Sequence, residues 1–173
     1  MPIDLRARLS HYLPRLYGYA VSLTRNEDAA RDLVQESALR ALKAKSIPND
    51  EAALRAWLFT IVRHASIDAH RRARAPAIPE PDLGELSTLL WEFDERTIAT
   101  VSVRQGLGQL PAEAREIIAL VDIAGFSYAE TAALLDLPVG TVMSRLSRAR
   151  QALLTIIGRS AIRPLRLRQG SGS

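Results

Sequence analysis

The sequence contains no cysteine, so disulfides, thiolate metal sites and cysteine nucleophiles are excluded. That fits a reducing compartment, and a cytoplasmic location is expected. No apolar run approaches the roughly 18 residues needed to span a membrane, so no membrane insertion is expected. The opening Met1-Pro2-Ile3-Asp4 lacks the basic start and apolar core of a signal peptide. His11, His64 and His70 show no metal-binding spacing with nearby carboxylates, and no glycine-rich phosphate loop is present. His64 and His70 lie six residues apart, which does not put them on one helical face. No metal, cofactor or small-molecule substrate is therefore expected, and an enzyme is disfavoured.

What is present is a globular composition. Of 173 residues, 47% are hydrophobic and 24% charged, enough for one ordinary domain or two small ones. Lys and Arg total 23 against 19 Asp and Glu, a formal net charge of +4. A basic balance is compatible with nucleic acid, but the distribution of charge says more than its sum.

Helical periodicity dominates, and no stretch shows sustained period-2 alternation. Leu9, Leu13, Leu16, Ala20 and Leu23 recur at three- and four-residue steps as one stripe. Pro14 interrupts them, which predicts a short helix followed by a longer one with Pro14 in its first turn. Asn26-Glu27-Asp28 supplies a cap and acidic first turn for a second helix that turns Ala30, Leu33, Val34, Ala38, Ala41 and Leu42 inward. After a loop at Ser46–Asp50, a third helix is predicted from about Glu51 to Arg74, with Leu54, Leu58, Ile61, Val62 and Ala65 on its apolar side.

Between Ala75 and Val103 the character changes. Pro76, Pro79 and Pro81 forbid a continuous helix, and Glu80, Asp82, Glu85, Glu92, Asp94 and Glu95 face one base, Arg96. This reads as a flexible acidic linker with a short helix near Ser87–Phe93, and it leaves the relative placement of its flanks open. The expected plan is all-α, with a helical domain over 1–74, the linker over 75–103 and a second helical domain over 104–160. A tail over 161–173 follows, and its last four residues have the composition of an appended linker.

The second block carries the sharpest local signal. In Gly125-Phe126-Ser127-Tyr128-Ala129-Glu130, Ser127 can cap a helix and Glu130 can complete a capping box. Gly125 suits the end of the preceding helix, whose apolar face includes Ile117, Ile118 and Val121. The capped helix is short, ending near Leu135, and Asp136-Leu137 make a tight turn before Pro138, a natural first helical residue. Ala132 is small where crossing helices need close approach. The next helix turns Val142, Leu146, Ala149 and Leu153 inward, while Thr141, Ser144, Arg145 and Arg148 lie elsewhere on it, with no acid between Val139 and Arg150. These are the parts of a helix-turn-helix, and arginine, serine and threonine suit phosphates and base edges. A helical hairpin with a solvated basic face has the same charge and spacing.

In the first block, Asp32, Gln35, Glu36 and Arg40 form a polar face beside an apolar stripe. Ala56–His64 joins aromatic and apolar residues to a basic end, Asp68-Ala69-His70-Arg71-Arg72-Ala73-Arg74. Basic residues near aromatics suit melted nucleic acid. Equally, Trp57 and Phe59 could be core and the arginines could favour a helix C-terminus. Spacing does not choose between these.

The order of these segments resembles the sigma-70-type sigma factors, specifically the extracytoplasmic function (ECF) group. Leu23–Asn26 through Asp32-Leu33-Val34-Gln35-Glu36 resembles the region 2 polymerase-binding helix, and Ala56–Arg72 resembles the helix that melts promoters and reads the minus-10 element. Leu110–Glu116 and Gly125–Arg150 resemble region 4, which reads the minus-35 element. The likeness runs from about Leu5 to Leu154, and Gly125–Arg150 is similar to the general stress response subgroup.

The resemblance implies a region 2 bundle and a region 4 helix-turn-helix, with core RNA polymerase, promoter DNA and an anti-sigma factor as partners. It implies that Asp32, Gln35, Glu36 and Arg40 meet the polymerase. It implies that Asn49, Arg63, His64, Arg71 and Arg72 engage the melted minus-10 strand, and that Thr141, Ser144, Arg145 and Arg148 enter the major groove at minus-35. Three positions depart from the family pattern: Met143 for a usual lysine, Asp136 for a turn glycine, and Thr131 for an aliphatic residue. The rival reading is a dimeric helix-turn-helix regulator on a palindromic site, acting without polymerase.

Overall fold

The computed structural model describes residues 5–73 and 100–161, and the described residues form helices joined by short turns and loops. Helix α1 is Leu5–Thr24, α2 is Glu27–Leu42 and α3 is Glu51–Arg72. Asn26 caps α2 by accepting from the Ala29 amide at 2.9 Å, and Glu27 and Asp28 follow in its acidic first turn. Asp50 caps α3 in the same way through Ala53, and His70, Arg71 and Arg72 occupy its last turn. Both ends of α3 thus carry the charge sign that its dipole favours.

The expected break at Pro14 does not occur, because α1 runs unbroken through it. A proline inside a helix removes one backbone hydrogen bond. Splitting α1 would uncover Leu9, Leu13 and Leu16, all buried on one stripe, which would cost more than that bond. The three helices enclose a core that includes Leu33, Val34, Leu54, Leu58 and Val62. Phe59, which spacing left between core and nucleic-acid roles, is fully buried there, while Trp57 packs partly buried against it. For Phe59 the core reading holds, so its ring does not face solvent for base stacking.

The second block begins with α4, Thr100–Gln109, starting ahead of the expected Arg104. Helix α5, Ala112–Ile118, continues into a wider π-helical turn over Ala119–Ile123. There the Ala124 amide donates to the Ala119 carbonyl at 2.8 Å, and the Phe126 amide reaches back to Leu120 at 3.0 Å. Gly125 lies between them at φ +76°, a left-handed conformation that a β-carbon would strain. Helix α6, Tyr128–Leu135, opens on the expected capping box, with both Ser127–Glu130 bonds formed. Asp136 makes the turn in the left-handed region at φ 55°, where its short polar side chain is tolerated. Helix α7, Val139–Ala161, starts one residue after Pro138, whose carbonyl accepts from Thr141 and Val142.

Val142, Leu146 and Ala149 bury the inner face of α7, with Leu153 partly buried beside them. Ala132, also buried, lies on the helix that crosses it. Thr131 is fully buried too, and its hydroxyl finds no hydrogen-bond partner among the described residues. Valine there would keep the branched shape and remove the stranded polar atom. Thr131→Val is expected to stabilise the chain by about 1–2 kcal/mol, seen by calorimetry as a melting point several degrees higher.

The acidic linker from 75 onward and its expected short helix near Ser87–Phe93 lie outside the described residues up to 99. What is described is direct packing between the two blocks. Ala119, Leu120, Ala124 and Phe126 belong to the core of the first block. The Phe126 ring stands nearly perpendicular to Phe59, with centroids 4.8 Å apart, and Phe59 meets Tyr19 at 5.2 Å. The π turn and Gly125 bring Leu120 and Phe126 to that joint.

Candidate functional site

On α7 the buried residues follow the helical period, so Thr141, Ser144, Arg145 and Arg148 fall together on the outward side. Ser144 and Arg148 are exposed, while Thr141 and Arg145 are half-buried. Ser144 donates to the Thr141 carbonyl at 3.1 Å, and Arg148 to the Ser144 carbonyl at 3.3 Å. Arg145 pairs with Glu113 of α5 at 3.0 Å. Arg150 behaves differently: it makes two bonds to Asp122, at 3.1 and 2.5 Å, and ties α7 to the π turn. Met143 is 51% exposed beside this face, in keeping with a surface rather than a core role.

In the first block, Asp32 is exposed, and Gln35, Glu36 and Arg40 are half-buried. Glu36 accepts from Arg40 at 2.6 Å and, in two bonds, from Arg72 at 2.9 and 3.1 Å. Arg40 also donates to Asp68 at 2.9 Å. That bond, with the nearby positive charge, holds the Asp68 carboxyl below its usual range. The expected polymerase and strand sets are therefore linked, because Glu36 of one bonds Arg72 of the other. Asn49, His64 and Arg71 are exposed and stand outside this ladder.

Arg63 is engaged elsewhere. Its Nε donates to Glu116 of α5 at 3.0 Å, and the Tyr19 hydroxyl donates to the same carboxylate oxygen at 2.8 Å. Burial, reinforced by Glu116, pushes the Tyr19 phenol well above its usual pKa. A second charged contact spans the blocks nearby. Arg55 reaches Glu130 at 2.7 Å, and its guanidinium lies 4.3 Å from the centre of the Phe126 ring. Glu130 stays below the usual carboxylate range, chiefly through the Ser127 amide and then through Arg55. Arg115 is buried, donating to the main-chain carbonyls of Ser22 and Leu110.

Comparison with known proteins matches residues 9–75 to the family model for sigma-70 region 2, and residues 100–153 to that for sigma-70 region 4. The chain is 36% identical over 160 residues to the ECF RNA polymerase sigma factor EcfG of Rhodopseudomonas palustris, covering 91% of this chain and 88% of that one. The chain belongs to the ECF group of sigma-70 factors. This sigma factor is also 36% identical over 156 residues to SigL of Mycobacterium tuberculosis, covering 86% of each. In fold it is similar to the sigma factor RpoE of Bartonella quintana, solved in complex with the anti-sigma factor NepR. There the TM-score is 0.70 at 29% identity, over 90% of this chain and 97% of that one. CnrH, solved with the cytosolic domain of CnrY, gives a TM-score of 0.60 at 28% identity, over 88% and 86%.

Several charged partners in this sigma factor were not singled out from sequence: Asp68, Glu113, Glu116, Arg55 and Glu130 in its interblock role. Asp68 precedes Arg72 by four residues on one helix, a spacing that points to Arg72, yet its carboxylate pairs with Arg40, 28 residues away. Glu116 and Arg55 had no usable signal, because their partners lie 53 and 75 residues away in sequence.

Proposed function

We propose that this sigma factor binds core RNA polymerase and directs initiation at promoters carrying minus-10 and minus-35 elements. The observation that carries the proposal is α7, a basic outward face on a capped helix-turn-helix, following a region 2 bundle in the family order. Thr141, Ser144, Arg145 and Arg148 would enter the major groove, with arginine reading guanine or phosphate. Asp32, Gln35, Glu36 and Arg40 would dock on the polymerase, while Asn49, Arg63, His64, Arg71 and Arg72 would hold the melted strand. The acidic linker would run between the two DNA-bound domains. Chemistry belongs to the polymerase, and this chain supplies recognition.

Each domain neutralises few phosphates, so binding to free DNA should be weak and steeply salt-dependent. Linking both contacts on one polymerase raises their effective concentration and makes two weak readers useful together. Control by an anti-sigma protein is part of the proposal, supported by the similar sigma factor solved with the anti-sigma factor NepR.

The test is promoter-selective transcription with purified core polymerase. Initiation that appears only when the chain is added supports the proposal. Polymerase-independent, tight binding to a symmetric duplex, with no initiation, would instead favour a dimeric regulator.

A further inference from the structure

We propose that Tyr12 and Glu51 are positioning residues for minus-10 reading, holding the loop over 43–50 so that Asn49 is presented to one base. The inference rests on the strand-binding role proposed for Asn49 above. Asn49 is exposed in the connection between α2 and α3. A loop residue has backbone freedom that the arginines on α3 lack, so a base contact made from it needs support from its neighbours. That support is present on both sides. Two residues before Asn49, Ile47 packs partly buried against the core of the first block. Pro48, between them, has its φ fixed by its ring at about −65°. One residue after Asn49, Asp50 accepts from the Ala53 amide at 2.9 Å and opens α3. Glu51 follows, and Tyr12 and Arg8 of α1 donate to different oxygens of its carboxylate. Consecutive Cα atoms are about 3.8 Å apart, so the Asn49 backbone lies within roughly 8 Å of the Glu51 backbone. A displacement of Glu51 is therefore passed on to Asn49.

Tyr12 carries a hydroxyl where its neighbours on the buried stripe, Leu9, Leu13 and Leu16, have none. It is 3% exposed, and packing alone would be served by phenylalanine. The hydroxyl at the tip of the ring bonds Glu51, 39 residues further along the chain. The Glu51 carboxyl is held below its usual range, first by the Tyr12 bond and then by Arg8, so it stays ionised as an acceptor for both donors. A buried ring is locked by its packing, which makes the Tyr12 hydroxyl a fixed point for the start of α3. Arg8 is longer and half-buried, and is the looser of the two constraints.

The lysines of the chain are Lys43 and Lys45, both exposed in this loop, so a lysine-specific protease reports on the loop alone. In the folded full chain, Tyr12→Phe and Glu51→Gln should each be cut there several-fold faster than wild type. An arginine-specific protease cutting after the buried Arg115 reports global opening, and its rate should change less. Promoter-selective initiation then tests the reading itself, on templates with each minus-10 base changed in turn. The base that Asn49 reads is the one at which Asn49→Ala loses discrimination. Tyr12→Phe should lose about three- to tenfold in discrimination at that same base, part of what one base contact supplies, and nothing at minus-35. In an Asn49→Ala background, Tyr12→Phe should have no further effect there, because a positioning residue acts only through the residue it positions.

Equal cutting at the lysines in wild type and both variants overturns the proposal. So does a loss of discrimination spread evenly over minus-10 and minus-35, or an additive loss in the double variant. Either result would leave Tyr12 and Glu51 as a plain brace between α1 and α3. If Asn49→Ala changes discrimination at no minus-10 base, or wild type directs no initiation, the reading assigned to Asn49 falls and the positioning claim falls with it. The cutting rates would still report whether Tyr12 and Glu51 hold the loop, so the two failures are distinct.

Discussion

Replacing Phe59 by alanine is expected to destabilise the chain by about 3–5 kcal/mol. For a chain of this length the melting temperature should fall by roughly 6–20 °C. Phe59 is fully buried, and it is the ring at which three elements meet: Tyr19 of α1 at 5.2 Å, its own α3, and Phe126 beyond the π turn at 4.8 Å. The loss combines apolar burial, a cavity that two rigid neighbours cannot collapse into, and two aromatic pairs, each contributing about 0.5–1.5 kcal/mol beyond burial. Calorimetry should also show the blocks melting with less coupling, because the ring they share has gone. Leu154→Ala is a suitable control, since Leu154 is 70% exposed and its truncation should change stability little. A loss below about 1 kcal/mol at Phe59 would mean that the joint between the blocks is not packed as described.

Arg145→Ala should lower initiation at a promoter with an intact minus-35 element by roughly 5–150-fold, the range that about 1–3 kcal/mol of lost base readout implies. Stability should barely change. The Arg145 pair with Glu113 is substantially exposed, and such pairs contribute little to folding. Recognition and stability therefore separate at this residue, unlike at Phe59. Arg145→Lys should recover only part of the loss, because a single ammonium cannot reproduce two parallel bonds to one base. The decisive comparison is discrimination, measured as initiation from the intact promoter relative to one with a scrambled minus-35 element. Wild type should discriminate strongly, and Arg145→Ala should not. Equal discrimination by both chains would remove Arg145 from the reading face.

Much of the local architecture was legible from the residues because its causes are local. Asn26, Ser127 and Glu130 satisfy amides within a few residues, so their caps could be read directly. Buried faces followed from three- and four-residue steps, as with Leu9, Leu13 and Leu16 or Val142, Leu146 and Ala149. The same local logic misjudged Pro14, where one missing hydrogen bond suggested a break. Burial of a whole apolar stripe against two other helices outweighs that bond, and its value depends on partners distant in sequence. Phe59 was undecidable for a related reason, since an aromatic on an amphipathic helix has the same spacing whether it meets a nucleobase or Phe126.

The sequence by itself determined an all-helical chain, the helix-turn-helix, the side of α7 that turns outward and the likeness to a two-region sigma factor. Each follows from periodicity, capping chemistry or the order of motifs along the chain. Only the tertiary structure decided how the blocks meet, with Arg63 and Tyr19 on Glu116 and Arg55 between Phe126 and Glu130. Those contacts join residues 53 to 97 positions apart in the chain. Their geometry depends on where a π turn and a left-handed glycine aim Leu120 and Phe126, and neither periodicity nor charge spacing encodes that direction.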